Sequence, residues 1–427
     1  MKRDSKEKRV IIPQLRFARF QKNAGWESKP LKHLASRNTT KNSEGKHVRV
    51  LTNSAEFGVI DQRDYFEKDI ATQGKLEGYY VVEKGDYVYN PRISVKAPVG
   101  PISRNNVGAG VMSPLYTVFR FENSDNDFYA HYFTSNHWHQ YMRRSASTGA
   151  RHDRMSITSD DFLNLPLPVG TPEEEQAIAD CLTSVDVLIV METQRLSALK
   201  MHKNCMMNEL FPVNGDAVPL VRFPEFYGSE EWEPTTLGIV ADFKSGGTPS
   251  KDNPAFWNGT IPWASAKDMK HLFLQDTEDH VSPLAISEGA KLAPAGSILM
   301  LTRGMTLLKD IPICVLTREM SFNQDVKALL PKAGVDGIFL AYLLLGCKRR
   351  LLSLVDIAGH GTGRLDTDKL KAVDVMLPRP AEQRRIADCL VSLDEIITAQ
   401  GEKILSLKAY KKALTQQLFP LIDEVTV

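Results

Sequence analysis

The chain repeats itself once, with a period slightly longer than 200 residues. At a shift of 206 residues, segments 13–31 and 219–237 share seven identities in nineteen positions, and each is called here an opening motif. At a shift of 208, segments 178–212 and 386–420 share fourteen identities in thirty-five positions, and each is called a closing motif. Solenoid repeats are only about 20 to 50 residues long, so this period indicates a duplicated domain.

Between the two motifs, each copy contains roughly 130 to 150 residues in which similarity almost disappears. A few matches survive at a shift of 210, such as Gly149 with Gly359 and Arg154 with Arg364. The opening and closing motifs, together called the frame here, are therefore duplicated, while the inserts between them differ. The predicted boundaries are a basic leader at 1–12, a first insert domain at 13–168, a long helix at 169–212, a second insert domain at 213–378, a second long helix at 379–420 and a tail at 421–427.

Each insert is followed by a segment with the pattern of an unusually long helix. Pro172 and Pro380 stand just before acidic residues. This suits a first helical turn, because proline there loses no hydrogen bond and negative charge is favourable at the positive end of the helix dipole. About 38 residues separate each proline from the Phe-Pro that ends the copy, which corresponds to about 57 Å of helix. A helix of this length needs a partner along it.

Apolar residues recur along both segments at alternating spacings of four and three, the heptad pattern of a coiled coil. The seam positions are Ile178, Leu182, Val185, Ile189, Leu196, Leu199, Met206, Leu210, Ile386, Leu390, Leu393, Ile397, Ile404, Leu407, Leu414 and Leu418. We predict an antiparallel pair with pseudo-twofold symmetry, in which Glu192 faces Lys411. The alternative is that each helix covers only its own insert.

The inserts contain short strand-like runs at 79–82, 87–90, 116–119, 297–301 and 313–316. An apolar run at 337–347 is too short for a membrane-spanning helix of about 20 residues and is predicted to be a buried helix. The predicted fold class is α+β, with two mixed α/β domains in a pseudo-twofold repeat, separated by two long antiparallel coiled-coil helices.

The charge balance limits how the chain binds a polyanion. The 53 Lys and Arg residues against 52 Asp and Glu leave a formal charge of +1, so binding depends on local patches. Five cysteines without a CxxC pair favour a reducing compartment, and the apolar stretch after the basic leader is too short for a signal peptide. The expected location is the cytoplasm.

Sequence signatures of catalysis are missing. The GHGTGRLD run at 359–366 lacks the Lys-Ser/Thr pair of a phosphate-binding loop. Neither NPR at 90–92 nor NPA at 253–255 matches the Asn/Asp-Pro-Pro-aromatic loop expected of a methyltransferase that acts on a base amine. The histidines of HYFTSNHWH at 131–139 have no carboxylate or cysteine at the usual metal-ligand spacing. We expect neither catalysis nor a metal or cofactor on this chain.

Loops of both inserts combine cations with amide and hydroxyl side chains, a mixture that suits DNA because cations position phosphates while amides and guanidiniums read base edges. In the first insert the candidates are Arg92, Lys96, Arg104, Asn105, Asn106, Arg143, Arg144, Arg151, His152 and Arg154. In the second insert they are Gly246, Gly247, Thr248, Ser250, Lys251, Asn258, Trp263, Lys267, Arg303, Asn323, Gln324, His360, Thr362 and Arg364. Solvated surface loops are the alternative interpretation.

Several motifs together resemble one known family. They are the paired opening motifs PQLRFARF...WE and PLVRFPEF...WE, the insert signature SGGTPS...WNGTIPW, and the closing motifs EEQAIADCL...LFP and EQRRIADCL...LFP. The chain is similar over nearly its whole length to the DNA specificity subunits of type I restriction-modification systems. It departs from the usual Pro-Glu of the opening motif at Ala18-Arg19, which weakens the likeness for the first insert.

The resemblance implies two target-recognition domains, each reading one half of a split, asymmetric site in double-stranded DNA, with the two helices setting the spacer. It also implies two methyltransferase subunits that bind S-adenosylmethionine, and two restriction-translocase subunits that use ATP and Mg. Two other classes of protein remain open at this point. One is a scaffold that does not read DNA, and the other is a self-contained methyltransferase or nuclease.

Overall fold

A computed structural model describes residues 10–65, 76–122, 127–148, 153–212, 216–357 and 361–422. The chain divides into two compact units. Unit 1 comprises Met1–Thr193 with Glu402–Val427, and unit 2 comprises Gln194–Gly401. Three of the predicted DNA-contacting residues, Arg151, His152 and His360, lie outside the described residues.

Unit 1 is a mixed α/β unit. Its strands are β1 (Glu27–Pro30), β2 (Ala35–Asn38), β3 (Leu51–Ser54), β4 (Gly58–Asp61), β5 (Tyr80–Val82), β6 (Tyr87–Tyr89), β7 (Ile102–Arg104), β8 (Gly110–Met112), β9 (Thr117–Phe121), β10 (Ser147–Thr148), β11 (Met155–Ser156) and β12 (Pro166–Val169). Its helices are α1 (Gln62–Tyr65), α2 (Phe128–Tyr132), α3 (His139–Ser145), α4 (Ser159–Leu163) and the first part of α5 (Pro172–Leu210). The second part of the C-terminal helix completes the unit.

An antiparallel four-stranded sheet in the order β2-β9-β6-β7 forms the centre of unit 1, beside the two-stranded pairs β3-β4, β5-β8 and β10-β11. Its core is rich in aromatic rings, and Phe121 stacks on Tyr129 with centroids 4.4 Å apart. Phe419, just beyond the C-terminal helix, packs into the same core with its ring centroid 5.1 Å from that of Phe128. The last closing motif therefore contributes to the core of the first insert.

Among the described residues, unit 2 has more strands than unit 1. They are β13 (Glu233–Thr236), β14 (Ala241–Ser245), β15 (Ile261–Ala264), β16 (Phe273–Leu274), β17 (Asp279–Val281), β18 (Leu292–Ala293), β19 (Ile298–Leu301), β20 (Arg303–Gly304), β21 (Ile313–Leu316), β22 (Met320–Phe322), β23 (Val326–Pro331), β24 (Val355–Ile357), β25 (Gly363–Leu365) and β26 (Asp374–Leu377). Its helices are the second part of α5, α6 (Leu237–Val240), α7 (Pro283–Ser287), α8 (Gly337–Gly346), α9 (Lys348–Ser353), α10 (Thr367–Lys371) and the first part of α11 (Pro380–Leu418).

The sheets of unit 2 differ from those of unit 1. A five-stranded sheet in the order β14-β23-β19-β21-β16 lies with a four-stranded sheet β17-β15-β22-β18 and a three-stranded sheet β20-β25-β24. Helix α8 is buried over most of its length and packs in the main core, as its apolar run predicted. Phe211, which follows α5, packs against Phe339 of α8 with ring centroids 5.6 Å apart. The first closing motif thus completes the core of the second insert.

The base of each insert is built in the same way. The first and last strands of the insert pair antiparallel, β1 with β12 in unit 1 and β13 with β26 in unit 2. Glu27 pairs with Val169, and its repeat equivalent Glu233 pairs with Leu377. This pairing brings the two ends of an insert together at the start of the long helix.

Beside each strand pair, an arginine of the opening motif forms a bidentate ion pair with a glutamate in the first turn of the long helix. Arg16 donates to the Glu174 carboxylate at 2.6 and 2.7 Å, and to the carbonyls of Asn23 and Ala24 at 3.0 and 2.9 Å. Arg222 donates to Glu382 at 2.7 Å twice, and to the carbonyls of residues 229 and 230 at 3.1 and 2.9 Å. The glutamate side chains are 1% and 2% exposed. The two bidentate Arg-Glu ion pairs, called forks below, are therefore buried and equivalent.

Helices α5 and α11 begin at the predicted prolines, and each is 39 residues, or about 58 Å, long. They end just before Phe211 and Phe419. The sixteen seam positions are all buried or half-buried. No helix among the described residues is long and apolar enough to cross a membrane.

The two helices run antiparallel to each other, and ion pairs join them within each unit. In unit 1, Lys411 lies 2.5 Å from Asp186 and Lys403 lies 2.5 Å from Glu192. In unit 2, Lys203 lies 2.6 Å from Asp394. In the repeat, this pair is equivalent to the pair of Lys411 with Asp186. The prediction that Glu192 faces Lys411 is wrong, because the register places Lys411 about two turns away, opposite Asp186.

Candidate nucleic-acid interface

Two arginines face each other on adjacent segments of unit 1. Arg92 and Arg154 form an isolated antiparallel bridge. The amide of Ile93 donates to the carbonyl of Asp153 at 2.9 Å, and that of Met155 donates to the carbonyl of Pro91 at 2.9 Å. Hydrogen bonds that flank a residue pair in this way define the closer of the two antiparallel pair types, with Cα atoms about 4.5 Å apart. Both side chains therefore start side by side on one face.

The two guanidinium groups of this pair share one carboxylate. The Nε atoms of Arg92 and Arg154 both lie 3.9 Å from Oδ2 of Asp153. At that distance the attraction is electrostatic, with no hydrogen bond between those atoms. The Arg92 side chain is 69% exposed and that of Arg154 is 34% exposed. The pair keeps an excess of positive charge that solvent or a ligand reaches.

A cleft of about 600 Å³ adjoins this pair. Its lining comes from 52–56, 90–96, Pro101, Ser113, Leu115, Tyr116 and Arg154. Lys96 on the rim forms an ion pair with Glu56 at 2.6 Å, in which both side chains are more than half exposed. The predicted residues Arg92, Lys96 and Arg154 thus line one cleft.

Unit 2 contains a second arginine pair of the same geometry. Arg303 of β20 lies opposite Arg364 of β25 in the antiparallel register. The amide of Leu365 donates to the carbonyl of Thr302 at 2.9 Å, which is the counterpart of the Met155 hydrogen bond in unit 1. Both arginines are exposed, and Arg364 forms an ion pair with the Asp366 carboxylate at 3.8 Å.

One oxygen of the Asp366 carboxylate, Oδ1, is engaged elsewhere. It caps α10 by accepting hydrogen bonds from the amides of Asp368 and Lys369 at 2.9 and 3.3 Å. These backbone hydrogen bonds are the main reason that the pKa of Asp366 is lowered, and Arg364 makes a smaller contribution. Its Oδ2 atom lies 3.8 Å from Arg364, which is too far for a hydrogen bond, so this ion pair does not occupy the hydrogen-bond donors of Arg364.

The two pairs correspond to each other in the repeat. Arg154 and Arg364 differ by 210 positions, and Arg92 and Arg303 by 211. The sequence alone matched only Arg154 with Arg364, because the residues around Arg92 and Arg303 are unlike. Like charges directly opposite each other destabilise a sheet, so fold stability does not explain either pair. Convergent guanidinium groups suit an anionic ligand.

The other predicted residues of unit 1 are either engaged within the protein or exposed. Asn105 is fully buried, and its amide donates to the carbonyls of Glu83 and Gly108 at 2.8 Å each, so predicting it as a DNA contact was wrong. Arg104 is 18% exposed and forms an ion pair with Asp127. Exposed side chains remain at Asn106, Arg143 and Arg144.

In unit 2, Trp263 is 6% exposed, and its indole N–H donates to the carbonyl of Gly247 at 3.0 Å, so it belongs to the core and not to a DNA surface. Lys267 lies 3.0 Å from Glu278 and 2.9 Å from Asp279, which neutralise it. Gly246 has no room for a side chain, since an added Cβ would lie 2.1 Å from a backbone oxygen. The exposed predicted residues are Thr248, Ser250, Lys251, Asn258, Arg303, Gln324 and Arg364, while Gly247, Asn323 and Thr362 are half-buried.

Trp257 was not among the predicted residues, although it lies inside the quoted WNGTIPW motif. It lines a pocket of about 400 Å³ with Lys251, Pro254, Asn258 and Asp279. Its indole N–H donates to the carbonyl of Ser250 at 3.1 Å, and its ring meets Trp263 edge to face at 5.1 Å. The anchored, half-buried ring offers a planar apolar surface beside a lysine and an amide.

The three histidines of the HYFTSNHWH run have separate structural partners. His131 Nε2 lies 2.9 Å from the Thr183 hydroxyl on α5, and His137 Nδ1 lies 3.2 Å from the carbonyl of Pro420. His139 packs against the Trp138 ring. Burial lowers the pKa of His131 to about 4 and that of His139 to about 4. Among the described residues, no group of three or more metal-ligating side chains is arranged to hold a metal ion.

Comparisons with known proteins agree with this architecture. Residues 229–409 match a family model described as the type I restriction modification DNA specificity domain. The chain is 28% identical over 255 residues to the specificity subunit of the type I restriction enzyme EcoR124I/EcoR124II of Escherichia coli. That alignment spans 59% of this chain and 60% of the relative. The chain is 24% identical over 277 residues to the HindI specificity subunit of Haemophilus influenzae, spanning 64% of this chain and 54% of that subunit.

Two solved structures share the fold. A chain from a structure of the type I R-M system superposes with a TM-score of 0.60 at 18% identity, covering 92% of this chain and 97% of that one. The type I restriction-modification S subunit from M. genitalium superposes with a TM-score of 0.53 at 15% identity, covering 97% and 100%. Residues 229–409 thus match the type I restriction modification DNA specificity domain, and the chain as a whole is similar in sequence to type I specificity subunits and shares the fold of a type I restriction-modification S subunit.

Proposed function

We propose that the chain directs a type I restriction-modification complex to a split, asymmetric DNA site, and that the insert of each unit reads one half of it. The observation that carries this proposal is a duplicated frame with unlike inserts. The buried Arg-Glu fork and the strand pair at the base of the insert occur twice with the same geometry. The sheets above them differ in number and order of strands. Two equivalent copies of the frame that carry structurally different inserts suit a DNA site whose two halves differ in sequence.

The exposed chemistry of each insert suits contact with a duplex. The arginine pairs supply positive charge for phosphates, which fixes the position of a protein on DNA without reading sequence. Exposed amides at Asn106, Asn258 and Gln324 have the donor and acceptor pattern that reads base edges. Each bidentate base contact discriminates by about 1–3 kcal/mol, so several per insert are needed to recognise a half-site.

The long helices would then set the number of base pairs between the half-sites. Two readers on one face of a duplex are about 34 Å apart for each helical turn that separates them. The antiparallel register of α5 and α11, held by the Asp-Lys pairs, gives the frame a defined length in each unit.

Chemistry on the DNA belongs, in this proposal, to partner subunits. Two methyltransferase subunits that bind S-adenosylmethionine would modify adenine in both halves of the site. Two restriction-translocase subunits would use ATP and Mg to cut unmodified DNA. The chain itself would hold no cofactor and would act in the cytoplasm.

Methylome sequencing tests the proposal directly. A host carrying this chain with its methyltransferase partner should show a split, adenine-methylated motif, and deletion of this chain alone should abolish it. If no such motif appears although the methyltransferase is expressed, the chain is a scaffold that does not select sequence. If the purified chain methylates or cuts DNA by itself, it is an enzyme and the proposed division of labour is wrong.

Variants confined to one unit assign the halves of the motif. Arg154→Ala should weaken occupancy through the half-site read by unit 1, and Arg364→Ala through the half-site read by unit 2. The two variants serve as matched controls for each other, because the arginines are repeat-related. Footprinting of the complex on the motif gives the readout, and loss of protection at the same half in both variants would contradict the assignment.

A further inference from the structure

The two cross-strand arginine pairs are the common feature of inserts that otherwise differ. Arg92 pairs with Arg154 in unit 1, and Arg303 pairs with Arg364 in unit 2. In each pair the amide after the second arginine donates to the carbonyl before the first at 2.9 Å. The two pairs therefore share this backbone hydrogen bond, although sequence similarity around it has been lost.

Within the described part of the chain, both pairs carry more positive charge than nearby carboxylates neutralise. Asp153 is the single carboxylate in reach of Arg92 and Arg154 among the ion pairs of the described residues, and it lies 3.9 Å from each. Arg364 lies 3.8 Å from Asp366, whose carboxylate caps α10. Asp356, directly across the sheet from Arg364, is occupied by Lys369 at 2.8 Å. Among the described residues, each pair thus presents two guanidinium groups against one carboxylate within 4 Å.

Glycines neighbour the arginine pair of unit 2 on both strands. Gly304 follows Arg303 with φ +140°, a conformation that favours glycine. Gly363 precedes Arg364, and an added Cβ there would lie 2.7 Å from Cβ of Leu307. A residue with a side chain is therefore strained or excluded at both positions. The two glycines lie opposite each other in the strand register, so they help to fix the alignment that places Arg303 opposite Arg364.

Building on the proposed function, we infer that each arginine pair clamps one backbone phosphate of DNA, at the equivalent place in the two half-sites. A feature that both inserts share does not account for the difference between the sequences they read. The phosphodiester is the group that unlike half-sites have in common. Guanidinium groups bind phosphate oxygens through paired, charge-assisted hydrogen bonds, and two of them side by side surround one phosphate.

The test uses the complex of the full chain with its methyltransferase partner, and duplexes carrying the motif found by methylome sequencing. Arg92→Gln, Arg154→Gln, Arg303→Gln and Arg364→Gln are compared with two controls that each remove one exposed charge elsewhere, Lys46→Gln in unit 1 and Arg318→Gln in unit 2. Affinity is measured by fluorescence anisotropy over a range of salt concentrations, on the cognate duplex and on duplexes with one altered base pair.

Each pair variant should reduce the slope of log K against log salt by about one, and the controls should leave it unchanged. Affinity should fall by a similar factor on cognate and altered duplexes, because a phosphate contact carries no sequence information. Unfolding temperatures should be unchanged or raised, since a like-charge pair has been removed. A structural role for the arginines would instead lower them.

Single methylphosphonate linkages, which lack the phosphate charge, locate the contact. With the wild-type complex, one neutralised linkage in each half should weaken binding. With Arg92→Gln/Arg154→Gln, the penalty should disappear in one half only, and with Arg303→Gln/Arg364→Gln in the other half only. If a variant instead relaxes the preference at one base pair, the pair reads a base and the inference is wrong while the proposed function stands. If the wild-type complex does not distinguish the cognate duplex from a scrambled one, the proposed function itself fails.

Discussion

At the scale of single residues, the frame depends on buried charges whose hydrogen bonds are satisfied. Arg16 has both a bidentate carboxylate and two backbone carbonyls as partners, and Arg222 repeats the arrangement. The opening motif showed that these arginines recur, and the acidic first turns suggested only a dipole effect for the glutamates. Their pairing over about 160 residues of chain appears only in the structure.

Removing one partner of a fork should be costly, because it leaves an uncompensated buried charge. Glu382→Ala and Glu174→Ala should each lower the free energy of unfolding of the affected unit by about 3–5 kcal/mol. Urea denaturation followed by fluorescence reports the change, since Trp232 and Trp26 are buried in the same cores. Glu230→Ala is the control, because its ion pair with Arg379 is exposed and should change stability by less than about 1 kcal/mol. Equal effects from all three variants would contradict the role of the forks.

His131 should make the stability of unit 1 depend on pH. Burial, reinforced by Lys411, lowers its pKa to about 4 from an ordinary 6.5, although Asp186 acts in the opposite direction. Between these values the unfolded chain binds a proton that the folded chain does not, so stability decreases as pH falls from about 6.5 and levels off below about 4. The contribution amounts to about 3 kcal/mol.

His131→Gln removes the titrating group while retaining a polar side chain near Thr183. The difference in unfolding free energy between wild type and variant should therefore change with pH over this window and be constant above pH 7. Denaturation at several pH values measures it. A difference that is the same at pH 4.5 and pH 7.5 would show that His131 is not buried in its neutral form.

At the scale of elements, the periodic segments were predictable. The long helices start at the predicted prolines, and the strand-like runs correspond to β5, β6, β9, β19 and β21 within one or two residues. Heptad spacing also places the seam on one face of each helix. It does not define the register between two antiparallel helices, because neighbouring registers a heptad apart bury similar apolar residues. In the structure, the ion pairs Asp186-Lys411 and Lys203-Asp394 define the register between the two helices.

Lengthening both helices equally should change the spacer that the complex prefers. One heptad inserted after Thr193 and one after Gly401 keeps each ion pair within its unit and adds about 10 Å, or about three base pairs of DNA. The methylated motif should then have a longer spacer with the same two half-sites. A heptad in α5 alone is the control, and it should destabilise the chain because the pairing of the two helices is shifted. An unchanged spacer in the double insertion would refute the role of the helices as a ruler.

At the scale of the whole molecule, near-neutrality conceals an uneven distribution of charge. Segment 173–212 has seven acids and three bases, and segment 381–420 has five acids and six bases. The remaining residues therefore have a net charge of +4. The structure shows further that several cations of the inserts, such as Arg104 and Lys267, are neutralised by carboxylates of the same unit. The exposed positive charge that remains for the proposed contact with DNA is concentrated at a few positions.

The isolated chain should accordingly bind DNA weakly, because few phosphates are neutralised and few counterions are released. At about 0.15 M salt, a gel-shift assay should show little discrimination between cognate and scrambled duplexes for the chain alone. Addition of the methyltransferase partner should increase both affinity and discrimination. Tight, sequence-selective binding by the chain alone would contradict this expectation.

Sequence by itself determined the duplication, the frame helices, the buried helix α8 and the surface loops that carry most candidate contacts. These follow from local patterns and from identities between copies, both of which are read along the chain. The tertiary structure alone decided which half of each helix belongs to which unit, and that Asn105 and Trp263 are buried. It also decided that Arg92 meets Arg154, and Arg303 meets Arg364, across about 60 residues of sequence. Burial and cross-strand pairing depend on which distant segments pack together, and neither composition nor spacing specifies that.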